Sequence, residues 1–287
     1  MKAAAFDYFA PRTMDDALDL LARSGGSAKV LAGGQTLVPV MAFRLAQPPA
    51  LVDLNRIAGL NYIREDGDAV LIGAMTRHRD VERSETVARH LPLLSQAIRE
   101  VAHPVIRNRG TAGGSLSHAD PAAEWPTVAV ALKASFVLRS AKGTRTVAAR
   151  DFFLSLLTTA LSPEEILVEV RIPKRSDDAR AVFLEVNRRH GDFAIVSVAA
   201  QMEASRAGEV KDVALVLGGV APVPFDAGRL AAPMLGRRLA DLRFEDVGRA
   251  IAGELSPGSD IHASADYRRD LACGLVVRAL TQLREKF

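Results

Sequence analysis

The polar run Pro173-Lys174-Arg175-Ser176-Asp177-Asp178 divides the chain into two stretches whose apolar segments follow different orders. Before it, short strand-like runs alternate with helical periodicity. After it, three strand-like runs come first (residues 181–186, 193–203 and 210–217), and helices close the chain, the longest over residues 267–285. Strands followed by helices predict an α+β unit with helices on one face of an antiparallel sheet. A boundary near residue 175 follows, giving domains 1–175 and 176–287 of the 287 residues.

Local signals place the elements of the first stretch. Thr13 precedes a helical run with Asp15 and Asp16 in its first turn, and Gly25-Gly26 closes it. A strand over residues 29–32 runs into Gly33-Gly34, and another is expected over 50–54. Asp66-Gly67 between residues 62–64 and 69–73 predicts a hairpin, because Asp-Gly tolerates the positive φ of a tight turn. Residues 91–102 carry Leu94, Ala97, Ile98 and Val101 on one helical face, and Pro104 should stop that helix near His103. A glycine-rich loop over 110–115 then leads into a helix, a hairpin (134–139 with 144–148) and a further helix reaching Leu161. A strand over 165–172 ends at Pro173.

Composition removes several classes of function. The single cysteine, Cys273, cannot form an internal disulfide, a zinc knot or a four-cysteine iron–sulfur site. A chain of this length buries roughly three quarters of its unfolded surface and needs no such staple. A cytoplasmic location is the simplest reading. No apolar run reaches membrane-spanning length, and the first residues lack a signal-peptide core. Lys and Arg exceed Asp and Glu by three, and the basic residues are scattered in pairs such as Arg188-Arg189. With aromatics at only 5%, this argues against nucleic-acid binding. The histidines lack metal-ligand spacing and read as surface or packing residues. Arg188, Arg189 and Asp192 read as a structural or interface ion cluster.

Two diglycine segments carry the chemistry: residues 31–39, with Gly33-Gly34-Gln35-Thr36, and residues 111–117, with Gly113-Gly114-Ser115. Glycine has no Cβ to hold an anion away from the backbone, and consecutive N–H groups can form a concave nest for phosphate. Two such loops converging from distant sequence could hold a dinucleotide pyrophosphate. Either alone is also an ordinary turn. Neither is a Rossmann Gly-x-Gly-x-x-Gly or a P-loop. Ser117 stands where a hydrolase nucleophile elbow needs glycine.

The segments Ala32-Gly33-Gly34-Gln35-Thr36-Leu37-Val38-Pro39 and Thr111-Ala112-Gly113-Gly114-Ser115-Leu116-Ser117-His118-Ala119-Asp120-Pro121-Ala122-Ala123-Glu124, together with residues 183–195, resemble the FAD-binding subunit of the molybdenum hydroxylases. That family includes the medium subunit of carbon monoxide dehydrogenase and the flavin domain of xanthine dehydrogenase. The resemblance covers essentially the whole chain. It implies a vanillyl-alcohol-oxidase-like (PCMH-type) two-lobed FAD domain, with lobes of about 1–55 and 56–175, followed by a small C-terminal domain of antiparallel sheet plus helices. By position, Leu31, Ala32, Gly33, Gly34, Gln35, Thr36, Leu37 and Val38, with Thr111, Ala112, Gly113, Gly114 and Ser115, would wrap the non-covalent FAD pyrophosphate. Val101 would flank the cofactor, Glu124 would contact its nucleotide part and Leu167 would lie against the flavin. Val101 and Leu167 also fit simple core positions, and Glu124 and His118 with Asp120 could serve only local turn structure.

The resemblance further implies an oxidoreductase component that transfers electrons and has no catalytic residue or metal of its own. Molybdopterin would sit in a large partner subunit and [2Fe–2S] clusters in a small one, assembled as a dimer of heterotrimers. This chain departs from some relatives in having Gln35-Thr36 where they have His-Ser. It also lacks a basic residue at Leu184 and Glu185, near the flavin. Two other readings stay open at this level: a self-sufficient FAD oxidase or dehydrogenase, and an interaction subunit without cofactor.

Overall fold

The computed structural model describes residues 2–287. The chain begins with β1 (Asp7–Phe9), α1 (Met14–Arg23), β2 (Ala28–Leu31), α2 (Leu37–Ala42) and β3 (Ala50–Asp53). β3 is the central strand, parallel to both β1 and β2. Thr13 starts α1 as its sequence implies, its hydroxyl accepting from the Asp16 N–H at 3.1 Å. Ala17, Leu18 and Leu21, spaced for one helical face, are buried with Val52 and Leu54 at the foot of β3. This packing fixes the point where β2 runs out into Gly33.

The middle of the chain holds β4 (Ile63–Asp66), β5 (Ala69–Gly73), α3 (His78–Arg83), α4 (Glu85–His90), α5 (Pro92–Ala97), α6 (Pro104–Arg107), α7 (Ala112–His118) and α8 (Glu124–Ala131). Then come β6 (Ser135–Ser140), β7 (Gly143–Ala148), α9 (Ala149–Phe152), β8 (Phe153–Ser155), β9 (Thr158–Thr159) and β10 (Ile166–Pro173). An antiparallel sheet in the order β4-β5-β10-β6-β7 forms its floor. The β4–β5 turn uses Gly67 at φ +57°, as Asp-Gly leads one to expect. Every residue of α8 is buried, so it runs through the core and does not lie on it as an amphipathic helix.

The last part comprises β11 (Ala179–Val186), β12 (Val196–Ala204), β13 (Val210–Gly218), β14 (Phe225–Asp226), α10 (Gly228–Ala231), α11 (Phe244–Glu254) and α12 (Ala265–Arg284). The strands form an antiparallel sheet in chain order. Alternation along β12 sends Val196, Val198, Ala200 and Met202 into one core with Leu275, Val276 and Leu280 of α12. Ala181, Phe183, Ala199 and Val216 point the other way and join the core around α8 and α5. The sheet is thus covered on both faces, one by its own helices and one by the first part of the chain.

Three expectations are corrected. The helix expected over 91–102 ends at Ala97: Arg99 and Glu100 N–H bond the Gln96 and Ala97 carbonyls in tight turns, Ala102 turns left-handed at φ 45°, and the Arg107 guanidinium holds the carbonyls of Arg99, Val101 and Ala102 in that turn segment. Pro104 opens α6 as its first residue, where its missing N–H costs nothing. The helix expected to reach Leu161 is the single turn α9, followed by the β8–β9 hairpin. Phe193 precedes β12 in an exposed loop and is not part of a strand.

Candidate functional site

Leu31 ends β2, Leu37 and Val38 begin α2, and the turn between them is built on Gly34 at φ +70°. The Val38 N–H returns to the Gly34 carbonyl at 3.1 Å, and Gln35 Nε2 donates to the Gly33 carbonyl at 3.1 Å. The N–H groups of Gly33, Gly34, Gln35 and Thr36 find no acceptor among the described residues. Consecutive free donors at a bend are the arrangement that backbone anion sites use. The segment is pinned from behind: Asn55 Nδ2 donates to the Ala32 carbonyl at 2.8 Å, while Asn55 Oδ1 accepts from Arg77 Nη2 at 2.5 Å. Arg77 also donates to the Arg109 carbonyl, which ties the first glycine segment to the chain entering the second.

The two segments meet. A Cβ on Gly33 would lie 2.3 Å from the Arg109 carbonyl oxygen and 2.8 Å from Gly110 Cα, and one on Gly114 would lie 3.5 Å from Ala32 Cβ. The second segment is not the open loop its composition suggests. Thr111 caps α7, and Ala112, Gly113, Gly114 and Ser115 lie inside that helix. Their N–H groups are spoken for: Ala112 bonds the Thr76 carbonyl (3.0 Å), Gly113 the Ala74 carbonyl (2.8 Å), Gly114 the Thr111 hydroxyl (3.1 Å) and Ser115 the Thr111 carbonyl (3.1 Å). The expectation that both segments present bare N–H groups therefore holds for the first only. Gly113 is required by packing, since its Cβ would fall 2.6 Å from Ala74 Cβ.

Glu124 opens α8 with 4% exposure, and no side chain bonds its carboxyl. Burial pushes it up to about 7, with the charges of Glu100 and Asp120 adding to the effect. Asp120 itself accepts from the Ala122 N–H at 2.9 Å, the local turn bond its sequence suggests. Val101 and Leu167 are both buried in the core around α8. The Val101 carbonyl is held by Arg107 at 3.0 Å, and Leu167 pairs with Leu138 across β10 and β6.

The histidines behave as packing and surface residues, and no cluster able to hold a metal occurs among the described residues. His78 is buried, accepts from Trp125 Nε1 at 3.0 Å, and is pushed down to about 3 by burial and the nearby Arg107 and Arg77. Arg188, Arg189 and Asp192 make no ion pair among the described residues and sit in an exposed loop, which leaves the interface half of the reading as the one consistent with the structure. Sequence reasoning missed Asn55, Arg77 and Arg107. Each acts on carbonyls brought near by folding, and no spacing along the chain signals that.

A family of proteins described as the FAD binding domain in molybdopterin dehydrogenase matches residues 4–175, and the CO dehydrogenase flavoprotein C-terminal domain matches residues 181–283. The nicotine 6-hydroxylase medium subunit of Paenarthrobacter nicotinovorans is 40% identical over 282 residues, 98% of each chain. The carbon monoxide dehydrogenase medium chain of Hydrogenophaga pseudoflava is 37% identical and covers 96% of each. A solved carbon monoxide dehydrogenase structure from Hydrogenophaga pseudoflava superposes with a TM-score of 0.96 at 37% identity, covering 100% of this chain and 99% of that one. Quinoline 2-oxidoreductase from Pseudomonas putida 86 follows at 0.91 and 35% identity, covering 100% and 99%.

Proposed function

The chain belongs to the FAD-binding medium subunits of the molybdenum hydroxylases, and on that premise we propose that it binds FAD between its two glycine segments and serves as the electron-transfer subunit of a larger oxidoreductase. The observation that carries this reading is the row of four N–H groups, Gly33 to Thr36, without acceptors among the described residues. The donor set suits the cofactor: a pyrophosphate offers the acceptors these groups lack, and the bare Gly114 lets its backbone come close from the opposite side.

FAD, when bound, supplies the redox chemistry. The protein's residues bind and orient it. Residues 31–38 would hold the pyrophosphate through backbone donors, with Asn55 and Arg77 keeping that backbone in place. Thr111, Ala112, Gly113, Gly114 and Ser115 would close the other side, with the Ser115 hydroxyl taking the donor role that the α7 N–H groups cannot fill. Glu124 would face the nucleotide part, and Val101 and Leu167 would give the flavin an apolar wall that keeps water out.

Electrons would come from the [2Fe–2S] clusters of a small partner subunit, after a large molybdopterin subunit oxidises the substrate, and would leave to an external acceptor. A dimer of heterotrimers is the expected assembly and the cytoplasm the expected compartment. No helix among the described residues is long and apolar enough to cross a membrane. Domain limits of 1–175 and 176–287 fit this division of labour. The purified chain, incubated with FAD and passed through a desalting column, should retain one flavin per chain. Gly34→Val, which forces a β-branched side chain to φ +70°, should retain none. A wild-type chain that retains no flavin would overturn the reading.

A further inference from the structure

α3 and α6 border an open cavity of about 440 Å³, lined by Arg79, Glu82, Arg83, Arg99, Pro104 and Arg107 and by no residue of 31–38 or 111–115. Four of these six residues are arginines. Helical spacing puts Arg79, Glu82 and Arg83 on one face of α3, and Arg107 ends α6. Like charges four residues apart on a helix repel, so the pairing of Arg79 with Arg83 by itself opposes the folding of α3.

The one acid of the lining is already used. Glu82 accepts from the Arg107 guanidinium in a two-bond fork, Oε2 from Nε at 3.0 Å and Oε1 from Nη2 at 3.3 Å. Arg79 donates to the neutral Asn108 Oδ1 at 2.7 Å, and the Arg83 and Arg99 side chains make no hydrogen bond or ion pair among the described residues. Asp80, Glu85 and Glu100 lie close to these arginines in sequence but pair with none of them, and Glu100 is approached by His190 instead, at 3.9 Å. The guanidinium groups of Arg79, Arg83 and Arg99 thus line the cavity without a counter-charge. Arg107 gives the cavity a fixed wall: it is only 7% exposed, and its Nη1 also donates to the carbonyls of Val101 at 3.0 Å and Ala102 at 2.8 Å.

A guanidinium presents a planar fork of N–H donors that matches phosphate oxygens two at a time. The volume is that of a small-molecule site, yet Pro104 is the only apolar residue in the lining, so the bulk of a fitting ligand is itself anionic. We propose that this cavity is a second anion site of the chain, separate from the glycine segments, which takes the linked phosphates of a small oligophosphate, either free pyrophosphate or the tail of a nucleoside diphosphate. Arg79, Arg83 and Arg99 are its donors, and Arg107 is the wall behind them. A ligand there offsets the repulsion between Arg79 and Arg83. Through Arg107 it also steadies the turn that carries Val101.

Isothermal titration calorimetry of the full chain at fixed ionic strength tests this, with inorganic pyrophosphate, ADP and adenosine as probes. Because FAD itself carries a pyrophosphate, the titrations use the FAD-loaded chain and also Gly34→Val, in which the first glycine segment is distorted. Both should bind one pyrophosphate per chain. Arg83→Gln combined with Arg99→Gln, two exposed positions, should weaken that binding by about tenfold or more and leave flavin retention unchanged. Pyrophosphate should raise the melting temperature of the wild type and not that of the double variant. ADP binding as tightly as pyrophosphate supports the site and assigns it to a nucleotide, and pyrophosphate binding alone supports it and assigns it to the free anion. No binding of either, equal affinity in wild type and double variant, or adenosine binding as tightly as ADP overturns the proposal. A chain that takes pyrophosphate through Arg83 and Arg99 but retains no flavin overturns the FAD reading and leaves this one standing.

Discussion

Gly33 has no room for a side chain: the Arg109 carbonyl occupies the space a Cβ would need. Gly33→Ala should cost about 1–3 kcal/mol in urea unfolding, the usual range for overpacking, and should release flavin as the two segments part. Glu124 and His78 act on stability with opposite signs. Glu124 is held above its ordinary 4.5, so the folded chain without FAD loses stability as pH rises from there through about 7. His78 is held below 6.5, so stability falls as pH drops from there toward about 3. Glu124→Gln should therefore stabilise the FAD-free chain at alkaline pH, by up to about 3 kcal/mol, and do little in acid. Urea midpoints on either side of neutrality measure it. The resemblance singled out Glu124 as a position, but its burial came only with the fold, because α8 looks on paper like any short apolar helix.

α7 shows how far composition reaches at the level of an element. Gly-Gly-Ser reads as a loop, since glycine costs roughly 1 kcal/mol inside a helix. The structure makes a helix there because Thr111 caps it and because Gly113 must pass within touching distance of Ala74 on the β5 edge. Long-range packing overrides local propensity. Gly113→Ala, which would help an exposed helix, should here destabilise the protein, and Thr111→Ala should cost about 1 kcal/mol through the lost cap. Thermal unfolding of the two variants checks both. The same logic explains α5: its apolar spacing continues past Ala97, yet the chain there tightens into turns in which Arg99 and Glu100 N–H bond the Gln96 and Ala97 carbonyls, and the Arg107 guanidinium, buried and paired with Glu82 at 3.0 Å, holds the Val101 and Ala102 carbonyls of the segment that follows. Elements whose limits are set by their own residues, such as α1 with Thr13 and the β4–β5 hairpin with Gly67, were legible in the sequence.

Across the whole molecule, the strand-then-helix order after residue 175 and the antiparallel sheet it builds could be read from the chain, whereas the order β4-β5-β10-β6-β7 could not, because its pairing partners lie as far apart in sequence as Ala69 and Pro173. The site shows the same division: the glycines are visible in sequence, the Asn55 and Arg77 struts are not. Ala181, Phe183, Ala199 and Val216 share a core with α8, so the two parts of the chain should unfold together in a single urea transition; two separate transitions would contradict that packing. Exposed Val38, Phe43 and Leu45 near the first glycine segment, and Leu154, Leu156 and Leu157 on the β8–β9 hairpin, leave apolar surface of the kind partner subunits cover. The most direct test of the electron-transfer role is anaerobic mixing of the FAD-loaded chain with its reduced [2Fe–2S] partner subunit, followed by flavin absorbance. The flavin should bleach on mixing with that partner and stay oxidised when the chain alone meets aldehydes, purines or nicotine-type heterocycles. Bleaching by an organic substrate without the partner, or none with it, would contradict the account.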